Sequence, residues 1–112
     1  MPFEYLVCSP DDIHPDCAKG FTIDTRQGKL EFFIVNKENH FYAYKNSCPH
    51  TGVNLEWKAD EFLNLDKNLI QCSTHGAQFI IENGYCIYGP CQGRHLTKVP
   101  VSVSPSEIRL TV

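Results

Sequence analysis

Two cysteine–histidine pairs are the residues of this chain whose types and spacing could do chemistry. One residue separates the members of the first pair, two separate those of the second, and 21 lie between the pairs; the four residues are Cys48, His50, Cys72 and His75. Two thiolates and two imidazoles suit either a tetrahedral zinc ion or a two-iron cluster whose irons have different ligands. A glycine follows each histidine, at Gly52 and Gly76. We therefore expect the four side chains on two tight loops that face each other at one end of a β structure.

The residues around both pairs resemble the Rieske [2Fe–2S] ferredoxin pattern. The stretches CPHTGVNL (48–55) and CSTHGAQF (72–79) match it, and Gly89 and Pro90 lie where that family often carries a third, proline-containing loop over the cluster. The resemblance covers essentially the whole chain. It implies one [2Fe–2S] cluster per chain, with thiolates on one iron and imidazoles on the other. The thiolates would come from Cys48 and Cys72, and the imidazoles from His50 and His75.

Zinc is the main competing occupant of these four residues, because its preferred donors are the same. Structural zinc motifs usually place the two ligands of each half two to four residues apart, and the C-x-H spacing of Cys48 and His50 is too tight for most of them. The spacing therefore favours the cluster, while zinc stays open as a replacement for iron during overexpression.

Four positions depart from the Rieske proteins of respiratory complexes. Those proteins carry an extra, disulfide-forming cysteine in each loop, where this chain has Val53 and Thr74. They also carry a serine and a tyrosine that donate hydrogen bonds to cluster and ligand sulfur, where this chain has Ala77 and Phe79. Fewer hydroxyl donors make the more negative, reduced cluster less favourable. We therefore expect a potential toward the low end of the Rieske range of about −150 to +300 mV, as in an oxygenase-type ferredoxin.

The resemblance implies a soluble one-electron carrier, the ferredoxin component of an oxidoreductase system, rather than an enzyme with catalytic residues of its own. Such a carrier would take electrons from a flavin reductase and pass them to an oxygenase or a similar acceptor. Rieske oxygenases add a large mononuclear-iron domain, and we expect no room for one in 112 residues. The alternative is a non-carrier Rieske-fold subunit, or a redox-sensing or metal-sensing module that binds zinc or a cluster structurally.

Composition and charge limit the kinds of partner that this chain can have. The chain has the length of one domain (1–112), and its 10 basic and 13 acidic residues give a net charge of −3 without a basic run, which argues against nucleic acid. No apolar run approaches the roughly 20 residues of a membrane span. The first residues, Met1 to Glu4, lack a basic and apolar signal segment. We therefore expect a cytoplasmic monomer with no membrane contact.

Short strands separated by turn residues fill nearly the whole sequence. Hairpin turns are predicted at 26–29, 37–39 and 82–84, a single plausible helix at 59–63, and a long closing strand at 96–103. This pattern predicts an all-β fold, a Rieske-like antiparallel β-sandwich or barrel. The strands at 40–44 and 69–71 lead into the two ligand loops. We therefore expect a small cluster-binding lobe (about 46–90) inserted into a larger β base.

The remaining cysteines and histidines carry no predicted function. The histidines without a ligand partner at metal-binding spacing are His14, His40 and His95. In the N-terminal part, Cys8 is predicted to be a buried strand residue, and it and Cys17 are predicted to be reduced. Cys86 and Cys91 bracket Gly89 and Pro90. We expect two free thiols there with Cys86 facing the core, and a disulfide between them depends on a Cα separation that the sequence does not give.

Overall fold

Three antiparallel sheets of three strands each form the fold, within the residues that the computed structural model describes: 3–47, 55, 61–64, 66–72, 76–89 and 92–112. The strands are β1 (Glu4–Cys8), β2 (Cys17–Thr25), β3 (Gly28–Lys37), β4 (His40–Lys45), β5 (Leu69–Gln71), β6 (Gln78–Ile80), β7 (Cys86–Tyr88), β8 (Val101–Val103) and β9 (Ile108–Thr111). Their order is β1-β9-β8, β2-β3-β4 and β5-β6-β7. The all-β prediction is confirmed.

The three predicted hairpin turns are present, with bounds that differ from the prediction by one or two residues. Strands β2 and β3 pair from Cys17 opposite Asn36 to Thr25 opposite Gly28, which leaves a two-residue turn between the strands. The turn between β3 and β4 is Glu38-Asn39, and both residues have positive φ (54° and 64°), as in the type I′ turns that suit two-residue hairpins. The turn from β6 to β7 runs through Ile81 to Asn83.

Strand β3 lies between two hydrophobic clusters because its alternating side chains point to opposite faces. One face contributes Phe32 and Ile34 to the base core, which consists of Ile13, Phe32, Ile34, Ala43, Val99, Ile108 and Leu110. The other face contributes Phe33 and Val35 to the site core, which consists of Phe33, Val35, Tyr44, Leu55, Phe62, Ile70, Cys72, Ala77, Phe79, Ile81, Cys86 and Leu96. The site core therefore joins the β5-β6-β7 sheet to the β2-β3-β4 sheet.

Side-chain contacts fasten these two sheets together. The Tyr44 hydroxyl donates a hydrogen bond to the Ile81 carbonyl at 2.5 Å, and burial raises the pKa of this phenol, with smaller contributions from Tyr42 and Glu82. The rings of Phe33 and Phe62 stack at 4.3 Å between centroids. These buried contacts hold the β5-β6-β7 sheet against the β2-β3-β4 sheet.

Two predicted elements differ from the structure. The helix predicted at 59–63 is absent from its described part: Leu63 pairs with Ile70 in an antiparallel bridge, and the Phe62 carbonyl accepts the Gln71 N–H at 2.8 Å. Burial of Phe62 in the site core and pairing with β5 outweigh the weak local helical propensity. Residues 59 and 60 lie outside the described residues.

The long closing strand predicted at 96–103 is also wrong. Its first part crosses to β4, where Lys98 bridges Tyr44, and only Val101–Val103 forms a strand, against β9. Pro100 lies between the two pairings. In the described part of the chain, no helix is long and apolar enough to cross a membrane.

Candidate metal centre

Cys72 is the one predicted ligand that the structure describes; Cys48, His50 and His75 lie outside the described residues. It follows β5 directly and is fully buried in the site core. Its N–H donates to the Ala77 carbonyl at 2.8 Å, and its carbonyl accepts the Gly76 N–H at 3.0 Å. Gly76 has a φ of +67°. These two bonds hold together the chain ends on either side of residues 73–75, as expected for a tight ligand loop.

A buried side chain joins the two ends of the segment that contains the other predicted pair. Asn46 follows β4, and its Oδ1 accepts the Leu55 N–H at 2.8 Å. The Asn46 N–H donates in turn to the Glu31 carbonyl on β3 at 3.0 Å. Asn46 and Leu55, the described residues on either side of the segment that contains Cys48 and His50, are therefore in direct contact. Asn46 is not among the residues predicted from the sequence; the available signal was an asparagine, whose amide often bonds nearby backbone, two residues before a ligand cysteine.

Both ligand segments end on the same hydrophobic cluster. Leu55 closes the first segment and Cys72 opens the second, and both are fully buried members of the site core. This shared base supports the expectation that the two loops lie at one end of the fold. The four ligand positions themselves remain a prediction.

Gly89, which the sequence places in a third connection near the cluster, packs against Ala77, which follows the second ligand loop. A Cβ on Gly89 would lie 2.8 Å from the Cα and 3.1 Å from the Cβ of Ala77, and Gly89 has a φ of +101°. Both features restrict this position to glycine, because real Cβ atoms do not approach backbone so closely and L residues rarely adopt this φ. Pro90 and Cys91 lie outside the described residues.

At the two positions singled out in the sequence, 77 and 79, the site core offers no hydroxyl group. Ala77 and Phe79 are both buried, and Ala77 is the residue whose carbonyl binds the Cys72 N–H. Cys86 pairs with Phe79 across the sheet and is fully buried, and its thiol donates to the Tyr88 carbonyl at 3.3 Å. The prediction that Cys86 faces the core is confirmed.

The other histidines lie on the surface, and Cys8 lies in β1. The three remaining histidines are exposed, and the ring of His95 meets that of Tyr85 edge-on at 5.0 Å. Cys8 is a strand residue as predicted but is half-buried rather than buried. Burial and the nearby Asp12 raise the pKa of its thiol, which disfavours the thiolate that a metal would need. Among the described residues, no group of three or more His, Cys, Asp or Glu residues is placed to hold a metal ion.

The described surroundings fit the donor set of a two-iron cluster. A buried cysteine in a hydrogen-bonded turn can present its sulfur at a fixed position, and an apolar base excludes water from that side. The segment closed by Asn46 would supply the second thiolate and one imidazole, and the turn after Cys72 the other imidazole. Such a set can bind zinc as well as iron.

Comparison with known proteins gives a family match over most of the chain. Residues 3–104 match the model of the Rieske [2Fe–2S] domain. The chain is 35% identical over 82 residues to the ferredoxin component of an alkene monooxygenase system from Xanthobacter autotrophicus, which is 72% of this chain and 61% of that protein. It is 27% identical over 77 residues to the biphenyl dioxygenase ferredoxin subunit of a Pseudomonas species, covering 69% and 63% of the two chains. The matches thus span less than two thirds of either relative's own length.

A solved structure confirms the fold. The ferredoxin of carbazole 1,9a-dioxygenase from Nocardioides aromaticivorans superimposes with a TM-score of 0.74 at 22% identity, over 96% of this chain and 95% of that one. At this identity the likeness concerns the arrangement of strands alone.

Proposed function

This chain belongs to the Rieske [2Fe–2S] domain family, and we propose that it is a one-electron carrier that serves an oxygenase. The family assignment and the ferredoxin relatives imply one [2Fe–2S] cluster per chain. The structural observation that supports this function best is Cys72, a buried cysteine in a hydrogen-bonded turn on an apolar base.

In this proposal the four ligands have two roles. Cys48 and Cys72 would hold one iron, and His50 and His75 would hold the other. When bound, the cluster supplies reversible one-electron chemistry, and two neutral imidazoles in place of two thiolates raise its potential. The second ring nitrogen of each imidazole can hold a proton, so reduction favours protonation and the potential falls as pH rises.

The chain's own side chains would set the reduction potential. The site core, to which Cys72, Ala77 and Phe79 all belong, excludes water from the buried Cys72. Because neither of these residues carries a hydroxyl, added negative charge on sulfur finds fewer donors there, which places the potential low in the Rieske range.

The partners and setting are also part of the proposal. The names of two relatives, components of an alkene monooxygenase system and of a biphenyl dioxygenase, support an oxygenase as the electron acceptor. We propose a flavin reductase as the donor. We further propose a single domain with its cluster-binding lobe at about 46–90, present as a cytoplasmic monomer that turns over no substrate without partner proteins.

Two buried cysteines of the site core provide a matched test. Cys72 and Cys86 are both fully buried members of the site core, and only Cys72 is a proposed ligand. Each is replaced with alanine, and the anaerobic protein is titrated with dithionite and then mixed with a Rieske oxygenase. Wild type and Cys86→Ala should take up about one electron per chain and pass it on. Cys72→Ala should take up none.

Two results would contradict the proposal. A Cys72→Ala protein that keeps the wild-type visible spectrum would remove Cys72 from the ligands. A loaded wild type that is reduced but transfers no electron to any oxygenase would favour the non-carrier alternative.

A further inference from the structure

Two asparagines, Asn36 and Asn46, are the buried polar side chains of the described part of the chain, with 1% and 7% of their surface exposed. Burial of an amide is unfavourable unless its polar atoms find partners. Asn36 donates to the Ile13 carbonyl at 2.7 Å and accepts the Asn39 N–H at 2.8 Å, so it fastens the β3–β4 hairpin of the base. Asn46 makes its bond to Leu55, across the first ligand segment.

We propose that Asn46 is a positioning residue that fixes the geometry of the first ligand loop through its Oδ1 bond to the Leu55 N–H. This inference rests on the proposed function to the extent that residues 47–54 are taken to carry two ligands. Asn46 itself touches no metal in this proposal; it acts through the loop that it closes.

Asn46 and Leu55, the two partners of this hydrogen bond, are each held in place by other contacts. On one side, the Asn46 N–H bonds the Glu31 carbonyl of β3, and the Ser47 N–H bonds the Lys45 carbonyl at 2.9 Å. On the other side, the Leu55 side chain is fully buried in the site core. The Asn46–Leu55 bond therefore connects two fixed points, and the segment between them starts and ends at a defined separation.

Loss of this bond would act on the loop more than on the fold. Without an acceptor, the buried Leu55 N–H would be unsatisfied, which favours conformations in which the segment opens to water. Opening separates Cys48 and His50 from the ligands on the second loop, so the bound metal should be released faster. Loss of Asn36 would leave the Ile13 carbonyl without its donor and the Asn39 N–H without its acceptor, at a place remote in sequence from both ligand loops.

The experiment compares Asn46→Ala, Asn46→Leu, Asn46→Asp and the matched control Asn36→Ala in the metal-loaded protein. The rate of metal transfer to a colorimetric chelator is measured together with hydrogen–deuterium exchange at the Leu55 amide. Asn46→Ala and Asn46→Leu should each speed both processes by about tenfold, the factor that corresponds to one unsatisfied buried donor. Asn46→Leu retains the side-chain volume, so it separates the hydrogen bond from packing.

The other two variants complete the test. Asn46→Asp keeps an oxygen acceptor for the Leu55 N–H but buries a carboxylate, so its release rate should lie between those of wild type and Asn46→Leu. Asn36→Ala should lower the stability of the fold while Leu55 exchange and metal release stay near wild type. Equal acceleration by Asn36→Ala, or unchanged rates in both Asn46→Ala and Asn46→Leu, would overturn the inference. If the protein binds zinc in place of iron, only the electron-carrier proposal is refuted. Hydrogen–deuterium exchange at Leu55 and metal release still test the role of Asn46, because both report on the loop with either metal.

Discussion

Replacement of Gly89 with alanine should break the contact between the third connection and the second ligand loop. The added Cβ would lie 2.8 Å from the Ala77 Cα, 3.1 Å from its Cβ and 3.3 Å from its nitrogen. Two of these atoms are backbone, so relief requires movement of the segment that follows Cys72. Overpacking of this kind costs about 1–3 kcal/mol. The φ of +101° adds conformational strain of about 1–3 kcal/mol for a residue other than glycine.

Gly93 provides the matched control. Its φ is +92°, and a Cβ there would meet no atom within 4 Å. Gly93→Ala should therefore carry the backbone strain alone, about 1–3 kcal/mol. The difference between the two variants isolates the contact with Ala77. Against a total stability of about 5–15 kcal/mol, the combined cost at Gly89 of about 2–6 kcal/mol is large.

The assay is urea unfolding of the loaded protein, followed by far-ultraviolet circular dichroism for the fold and by visible absorption for the cluster. Gly89→Ala should lower the midpoint more than Gly93→Ala, and its visible spectrum should be lost at lower urea than its circular dichroism. Equal midpoints for the two variants would refute the close approach of Gly89 to Ala77. Loss of both signals together in Gly89→Ala would refute a local effect on the ligand loop.

Two further outcomes are expected. The reduction potential of the wild type near neutral pH should lie in the lower part of the range of about −150 to +300 mV, and Ala77→Ser with Phe79→Tyr should raise it, because both positions gain a hydroxyl in the site core that contains Cys72. Voltammetry checks this, with Ala43→Ser in the base core as a control that leaves the potential unchanged; a wild-type value in the upper half would contradict the reasoning. The second outcome concerns Glu82, whose pKa is lowered by its 2.7 Å hydrogen bond with Lys37. Because the folded state favours the carboxylate, this pair stabilises above the ordinary glutamate pKa of about 4.3 and its contribution is lost as pH falls through the lowered pKa. The pair is partly exposed, so Glu82→Gln should cost less than about 1 kcal/mol at neutral pH. Urea titrations should find that this difference vanishes in acid; a difference that grows in acid would show the opposite sign.

Local signals in the sequence were enough to predict the hairpins. The turn at Glu38 and Asn39 is marked by polar residues between two apolar runs, and the strands on either side pair with each other over a short distance in sequence. The all-β class follows from the repetition of that pattern. The position of Gly89 beside the second ligand loop came instead from the family resemblance.

Long-range pairing decided the features that the sequence did not predict. Phe62 and Leu63 are extended because they meet β5, and nothing in their own sequence records that partner. The closing strand is interrupted because its two halves pair with different sheets on either side of Pro100. The role of Asn46 depends on a bond to a residue nine positions later, so its spacing from Cys48 could mark it as a candidate but could not identify its partner.

The central claim is that the two cysteine–histidine pairs hold a Rieske-type cluster that accepts an electron. The most direct measurement is iron, sulfide and zinc analysis of protein prepared anaerobically from its native source, with an electron paramagnetic resonance spectrum after reduction. We predict about two irons and two acid-labile sulfides per chain and a signal of the mixed cysteine–histidine type. Stoichiometric zinc without iron, or a reduced signal of the all-cysteine type, would contradict the account.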